Sequence, residues 1–216
     1  MPTPNWDRQT LLAGLAAATV VENPASLPVD KRGWRAAADA VARARSPMQR
    51  KQHAQALGQA VLRLVQASGA RTVGLYSPIG AETETRELAN SLLVHGIALA
   101  YPRLRSEGPL MDFATTTGPA ALQQRPRSRL LEPAGPVIAP EDLDLVVIPC
   151  LAVSPALVRL GHGGGYFDRW LPGLPATALR LGVVPAACVW PWQPIEGHDQ
   201  AMDLLCTEQG LCRPAS

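Results

Sequence analysis

From Pro47 onward the apolar positions recur with the period of a helix: Leu57, Val61, Leu64 and Val65 stand at i, i+4, i+7 and i+8. That stripe is the mark of a helix burying one face. Ser46 ahead of Pro47 reads as an N-cap followed by proline at the first helical position, and Gly69 closes the helix. The pattern then changes. Thr72–Tyr76 is a short apolar strand ending at Ser77-Pro78, and residues 83–94 place Leu88, Leu92 and Leu93 on one side of a second helix. Gly96 ends that helix, and Ile97–Tyr101 is a strand stopped by Pro102. Strand, helix and strand within about thirty residues form the βαβ unit of parallel sheets. Asp144–Pro149 is a continuous apolar run, as expected of a strand covered on both faces, and Leu179–Val184 is a further strand. Between them, residues 103–140 are rich in Pro, Gly and Arg, with an edge strand near Leu110–Ala114. A connection of that length in a compact domain is often functional. The alternation predicts one α/β domain with no internal repeat.

Composition narrows this picture. With 216 residues, 47% apolar and 18% charged, the chain has the make-up of a soluble globular protein. A net charge of +2 gives little whole-molecule attraction to nucleic acid. Seven basic residues (Lys31, Arg32, Arg35, Arg43, Arg45, Arg50, Lys51) nevertheless cluster with one acid, Asp39. Most such runs are solvated helix faces; here two or three members are candidates to grip an anion. The four cysteines (Cys150, Cys188, Cys206, Cys212) have no paired spacing and read as reduced structural thiols of a cytoplasmic protein. His53, His95, His162 and His198 lack zinc-ligand spacing. Leu11–Val21 is too short to span a bilayer, and Asp7 offsets Arg8 ahead of it, so it reads as an extra N-terminal helix or a loose tail.

The sharpest local signal is Arg159-Leu-Gly-His-Gly-Gly-Gly-Tyr-Phe-Asp168. Glycines let a ligand approach the main chain, successive N–H groups form an anion nest, and a helix starting near Gly165 would add its positive end. Glycine content alone does not separate this from a structural turn. The loop also fails both common nucleotide patterns. It has no Lys-Ser/Thr after the glycines, and Tyr166 stands where the dinucleotide motif needs its third glycine. Its flanks favour a binding role. Arg159 offers paired donors to phosphate oxygens, and Asp168 is a hard oxygen ligand suited to Mg²⁺ beside phosphates. Either alone is more often a surface ion pair; together they match the needs of phosphoryl transfer.

With those residues in view, the chain resembles the 5-formyltetrahydrofolate cyclo-ligase (5,10-methenyltetrahydrofolate synthetase) family from about Lys31 to the C-terminus. Lys31-Arg-Gly-Trp-Arg35, Ser77-Pro-Ile-Gly-Ala-Glu82, Tyr101-Pro-Arg103, Leu131-Glu-Pro133, Asp144–Pro149, the glycine loop, and His198-Asp199 with Asp203 and Thr207-Glu208 follow the family's order and spacing. Residues 1–30 fall outside the resemblance, leaving 31–216 as the single cyclo-ligase-like domain. The resemblance implies a three-layer α/β/α fold with a mostly parallel, Rossmann-like central sheet of the NagB/RpiA/CoA-transferase type. It implies cyclisation of 5-formyltetrahydrofolate, with or without a polyglutamate tail, to 5,10-methenyltetrahydrofolate by a monomer using Mg²⁺ and ATP. It assigns ATP to Lys31, Arg35, Arg159, Gly161, His162, Gly163, Gly164, Gly165, Tyr166 and Phe167. Folate falls to Ser77, Glu82 and Tyr166, and the metal to Asp168 and Asp199. Glu82 would accept the pterin N–H edge, although a carboxylate near a helix start also serves the helix itself, and Thr83 or Thr85 reads as that helix's cap. Tyr166 would stack on a ring, although aromatics are more often core.

The chain departs from the family at two places. Val153-Ser154 replaces its usual Phe-Asp, and His162 stands where Tyr or Arg is common. A histidine touching phosphate would be a pH-sensitive donor; its other role is plain exposure. A non-catalytic nucleotide- or folate-binding relative on the same scaffold is the alternative, since fold does not dictate function. Retention of Lys31, Arg35, Glu82, Arg159 and Asp168 together argues for the enzyme. Nucleic-acid binding lacks interleaved aromatics and a known module, and no membrane role is expected.

Overall fold

A computed structural model describes residues 14–20, 28–124, 130–192 and 194–214. Asp30 caps helix α1 (Lys31–Ala44), its carboxylate accepting from the Gly33 N–H. Ser46 and Gln49 form a reciprocal capping box on α2 (Pro47–Ser68), which ends at Gly69 in the left-handed conformation (φ 72°). The expected helix and both of its punctuating residues are therefore found.

Strand β1 (Thr72–Gly74) leads into α3 (Arg86–Val94) and β2 (Ala98–Leu104). The two strands pair in parallel, completing the βαβ unit. Pro102 does not stop β2, contrary to expectation. The Ala98 N–H and the Ala100 carbonyl both bond toward β1 and its extension. Pro102 faces the same side, past the last β1 partner, so its missing N–H breaks no ladder bond. The other edge of β2 pairs antiparallel with β3 (Met111–Thr116), including Pro102 with Phe113.

The segment expected as a long connection is largely ordered into short pieces. It holds β3, a ribbon of β4 (Gln123–Gln124) with β5 (Leu131–Glu132), and β6 (Val137–Ile138), which covers the outer edge of β3. Strand β7 (Leu145–Pro149) is central, parallel to β1 on one side and to β10 (Leu179–Val183) on the other. The Asp144 carboxylate accepts the N–H groups of Arg71 and Thr72, pinning the starts of β7 and β1 together. Strands β11 (Leu204–Thr207) and β12 (Gly210–Cys212) complete an eight-stranded sheet in the order β12-β11-β10-β7-β1-β2-β3-β6.

Alternate residues of β7 enter opposite cores. Leu145 and Val147 pack with Leu57, Leu64 and Leu92 beneath α2 and α3, whereas Val146 and Ile148 pack with Trp34, Phe113 and Trp192 beneath α1. This is the three-layer α/β/α arrangement with a mostly parallel centre. Because the chain steps from β1 to β2 on one side and then to β7 on the other, a crevice opens at the carboxyl ends of β1 and β7.

Of the apolar stretch 11–21, only 14–20 lies within the described residues, and there it is neither helix nor loose tail. Ala17 bridges Arg213 in parallel, the Ala18 N–H donates to Arg213 O at 2.9 Å, and Ala18 is buried. No helix among the described residues is long and apolar enough to cross a membrane.

Candidate active site

After β7 the chain makes a small hairpin, β8 (Ala152–Val153) and β9 (Arg159–Leu160), before the glycine loop. Ser154, the residue standing in place of an aspartate, closes this hairpin. Its hydroxyl accepts from the Val158 N–H at 3.1 Å, and it is 2% exposed. A carboxylate there would accept the same N–H, so the serine keeps the turn acceptor and, lining none of the cavities described below, leaves their charge unaltered.

Two glycines of the loop are dictated by arginines packed against them. A Cβ on Gly161 would stand 2.5 Å from Arg159 Nη1. Gly163 has φ +97°, and its Cβ would meet Arg35 Cζ at 3.2 Å. The loop ends in α4 (Tyr166–Trp170), capped by Gly165. At five residues α4 supplies only the first turn of a helix, so the expected positive helix end contributes little.

A polar cavity of about 360 Å³ on one side of the loop is lined by Lys31, Arg35, Gly163, Asp168, His198 and Asp199, with Gly161 and Gly165 on the loop itself. Residues more than a hundred positions apart are thus brought together. Arg35 Nε donates to Gly161 O at 2.9 Å, fastening α1 to the loop. Lys31 Nζ donates to both carboxylate oxygens of Asp199 (2.9 and 2.8 Å) and to Glu196 (2.8 Å). Burial by itself lowers the ammonium pKa, but bonds to Asp199 and then Glu196 outweigh it and raise the value.

Arg159 behaves differently from the expectation of a free phosphate clamp. Only 5% exposed, it donates through Nη2 to Asp168 Oδ1 at 2.8 Å and through Nη1 to Pro149 O at 3.3 Å. Its guanidinium carbon lies 5.4 Å from the Phe167 ring centroid. It lines the apolar cavity described next and not the polar one, so its direct effect is to hold Asp168.

The donor set fits Mg²⁺ accompanied by phosphates. Asp168 and Asp199 face one cavity with the basic side chains of Lys31, Arg35 and Arg169, and among the described residues no cluster of three or more metal-ligating side chains forms an all-protein cage. Mg²⁺ at nucleotide sites takes one or two carboxylates, the rest of its shell being phosphate oxygen and water.

Across the loop lies an apolar cavity of about 350 Å³, walled by Pro102, Leu104, Met111, Leu131, Tyr166 and Phe167. Ser77, Glu82, Arg159 and His162 supply its polar points. Tyr166 is half-buried and faces the cavity, as a ring-stacking residue must, while Gly164 leaves room for its ring. Glu82 does not serve helix α3. One carboxylate oxygen accepts from the Ile79 N–H at 2.8 Å, and the other lies 3.0 Å from His162 Nε2. Glu84 caps that helix instead, accepting from the N–H groups of Thr85 and Arg86. Neither threonine caps it: the Thr85 hydroxyl donates to Tyr76 O, and Thr83 meets the buried His53. His162 therefore contacts a carboxylate and not open solvent alone. The largest of the three cavities around the loop, about 590 Å³, adjoins both walls at the carboxyl ends of the strands and includes Arg35, Tyr76, Glu82, Pro149 and His162.

Sequence reasoning missed three contributors. Glu196 shares Lys31 with Asp199; its signal was an acid three residues before Asp199. Arg169, next to Asp168, braces the loop by donating to Gly164 O at 2.9 Å. His53 had no local signal, since its partners Thr83 and Cys206 are distant in the chain. In the closing segment Asp203 and Glu208 are structural, accepting from the N–H groups of Arg180 and Ala186. Burial pushes the thiols of Cys150, Cys188 and Cys206 up to about 12, which favours their protonated form, as befits core residues.

The sequence profile of the 5-formyltetrahydrofolate cyclo-ligase family matches residues 28–208. The chain is 32% identical over 146 residues to a 5-formyltetrahydrofolate cyclo-ligase of Mycolicibacterium smegmatis, covering 63% of this chain and 73% of that protein. It is 25% identical over 203 residues to that of Mus musculus, covering 86% and 96%. Its fold is similar to that of Aquifex aeolicus 5,10-methenyltetrahydrofolate synthetase, with a TM-score of 0.73 and 26% identity over 86% of this chain and 93% of the other. The Mycoplasma pneumoniae synthetase shares the fold at a TM-score of 0.69 and 20% identity, covering 83% of this chain and 99% of the other. Matched across most of its length, from the basic first helix through the glycine loop to the closing strands, the chain belongs to the 5-formyltetrahydrofolate cyclo-ligase family.

Proposed function

We propose that the chain cyclises 5-formyltetrahydrofolate to 5,10-methenyltetrahydrofolate, using ATP with Mg²⁺ and releasing ADP and phosphate. One observation carries this reading: two cavities of unlike chemistry flank a single glycine loop, one basic with two carboxylates, the other apolar with one carboxylate at its rim.

An amide oxygen leaves poorly until it is phosphorylated, so ATP supplies chemistry as well as binding energy. The formyl oxygen attacks the γ-phosphorus and ADP departs. N10 of the folate then bonds to the formyl carbon, its proton goes to solvent, and phosphate leaves with the former formyl oxygen. Lys31 and Arg35 neutralise the phosphates, and the N–H groups of Gly161–Gly165 orient them. When bound, Mg²⁺ would offset the charge growing between the β- and γ-phosphates, held by Asp168 and Asp199. Arg159 keeps Asp168 aimed at that position. On the other side Tyr166 and Phe167 exclude water from the pterin, and Ser77 and Glu82 orient its polar edge. Holding both substrates against one loop is what makes an in-line transfer fast.

Purified protein mixed with 5-formyltetrahydrofolate and Mg-ATP is expected to give an ATP-dependent rise in methenyltetrahydrofolate absorbance, with one ADP per product. Folded protein that binds both ligands without turnover would instead make it a binding relative on the same scaffold.

A further inference from the structure

We propose that His162 is a clasp on the folate site: its imidazole holds the glycine loop to Glu82 and competes with the pterin for that carboxylate. This rests on the cyclo-ligase reading above and adds a determinant of folate affinity to it.

The geometry is specific. Glu82 Oε2 is already taken by the Ile79 N–H at 2.8 Å, so Oε1 is the oxygen available to an incoming donor. That oxygen lies 3.0 Å from His162 Nε2. The Glu82 side chain is 9% exposed, whereas His162 is 47% exposed and lines both the apolar cavity and the largest one. The imidazole is thus free to swing, while the carboxylate is not. Arg35, bonded to the carbonyl of Gly161, anchors the loop immediately before His162, so the clasp moves by side-chain rotation.

The state of the imidazole decides how firmly the clasp closes. A charged imidazolium pairs with Glu82 as an ion pair; a neutral ring offers only an ordinary hydrogen bond. The other charges around His162 are Arg35, Asp39 and Arg43 of α1 across the largest cavity, and Arg159 of β9 across the apolar one. Asp39 and Arg43 pair with each other, and Arg159 is committed to Asp168. Glu82 is therefore the carboxylate that His162 meets. A pterin N–H must displace the imidazole from Oε1, so folate binds more weakly when His162 is charged, and by reciprocity folate binding favours loss of that proton.

The test is equilibrium binding of 5-formyltetrahydrofolate, without nucleotide, between pH 5.5 and 8.5. Wild type is expected to lose roughly three- to five-fold in affinity toward the acid end, the worth of a part-exposed ion pair. His162→Gln keeps a donor but cannot titrate, and its profile should vary less than about two-fold over that range. A second, variant-free measurement is the histidine titration of wild type by NMR, in which saturating 5-formyltetrahydrofolate should lower the His162 midpoint. Parallel pH profiles for wild type and His162→Gln, or an unmoved midpoint, overturn the clasp while leaving the enzyme reading standing. Failure of folded wild type to bind the folate at either pH overturns both.

Discussion

At the residue scale, Asp168 shows how one carboxylate is prepared for its task. One of its oxygens is held by Arg159, itself locked by Pro149 O and stacked on Phe167. Asp168→Asn keeps the size of the side chain but removes the charge that both the guanidinium and a metal require. Turnover is expected to fall by at least ~100-fold with the fold intact, and the Mg²⁺ concentration for half-maximal rate to rise. Full rate at limiting Mg²⁺ would refute the metal assignment. His53 is prepared in the opposite sense. Its Nε2 lies 3.2 Å from Cys206 O, which can only accept, so that nitrogen carries the proton and Nδ1 accepts from the Thr83 hydroxyl. Burial first, then the Arg45 charge, lower its pKa from 6.5 to about 4. Between those values the unfolded chain binds a proton that the folded chain refuses, so stability is complete above about pH 6.5 and is lost as pH falls toward 4. The loss is expected to be on the order of 3 kcal/mol, read from urea midpoints across that range. A His53→Gln variant should show a flatter slope whatever its absolute stability; an equal slope would remove His53 as the cause.

At the scale of elements, the glycine loop is shaped by the arginines beneath it as much as by any ligand above it. Arg159 cannot yield to a methyl group at Gly161, because Asp168 and Pro149 hold the guanidinium in place. Gly161→Ala should therefore displace Arg159, and with it Asp168, costing ~100-fold in kcat/KM but only about 1–3 kcal/mol in stability. Kinetics and thermal denaturation on the same sample check this, and a turnover loss below about two-fold would contradict it. Helix α1 is the other critical element. Its first two turns place Arg35 on the loop and Lys31 at the polar cavity beside it, and Trp34 between them is 2% exposed and packs 5.8 Å from Trp190. The basic run read as mostly solvated divides accordingly: Arg43 pairs with Asp39 on the helix surface, while Arg45, 8% exposed, bonds to Gln49 O.

At the scale of the molecule, the site forms where segments from both halves of the chain converge. Lys31 and Asp199 neutralise each other across 168 positions, so a nucleotide claiming Lys31 and a metal claiming Asp199 each remove the other's competitor. Mg-ATP at about 100 times its Kd is expected to raise Tm by roughly 5–10 °C. ATP with a chelator should give a clearly smaller rise at equal concentration. Equal shifts with and without Mg²⁺ would show that the Lys31–Asp199 pairing does not couple the two.

What the amino-acid order determined by itself was local. The capping box and Gly69, the βαβ unit, the doubly covered β7 and the glycine loop all depend on residues a few positions apart, where periodicity and backbone preference act directly. Even Pro102 misled only because the strand facing it ends too soon to require its N–H, a fact of register and not of sequence. Only the tertiary structure decided the partners: Arg159 holds Asp168 and not open phosphate space, Glu82 meets His162 and not helix α3, and Glu196 joins Lys31. Each of these is a charge choosing among several possible counter-charges. Distance settles that choice, and distance exists only once the sheet has brought α1, the 77–85 segment and the loop to its carboxyl edge.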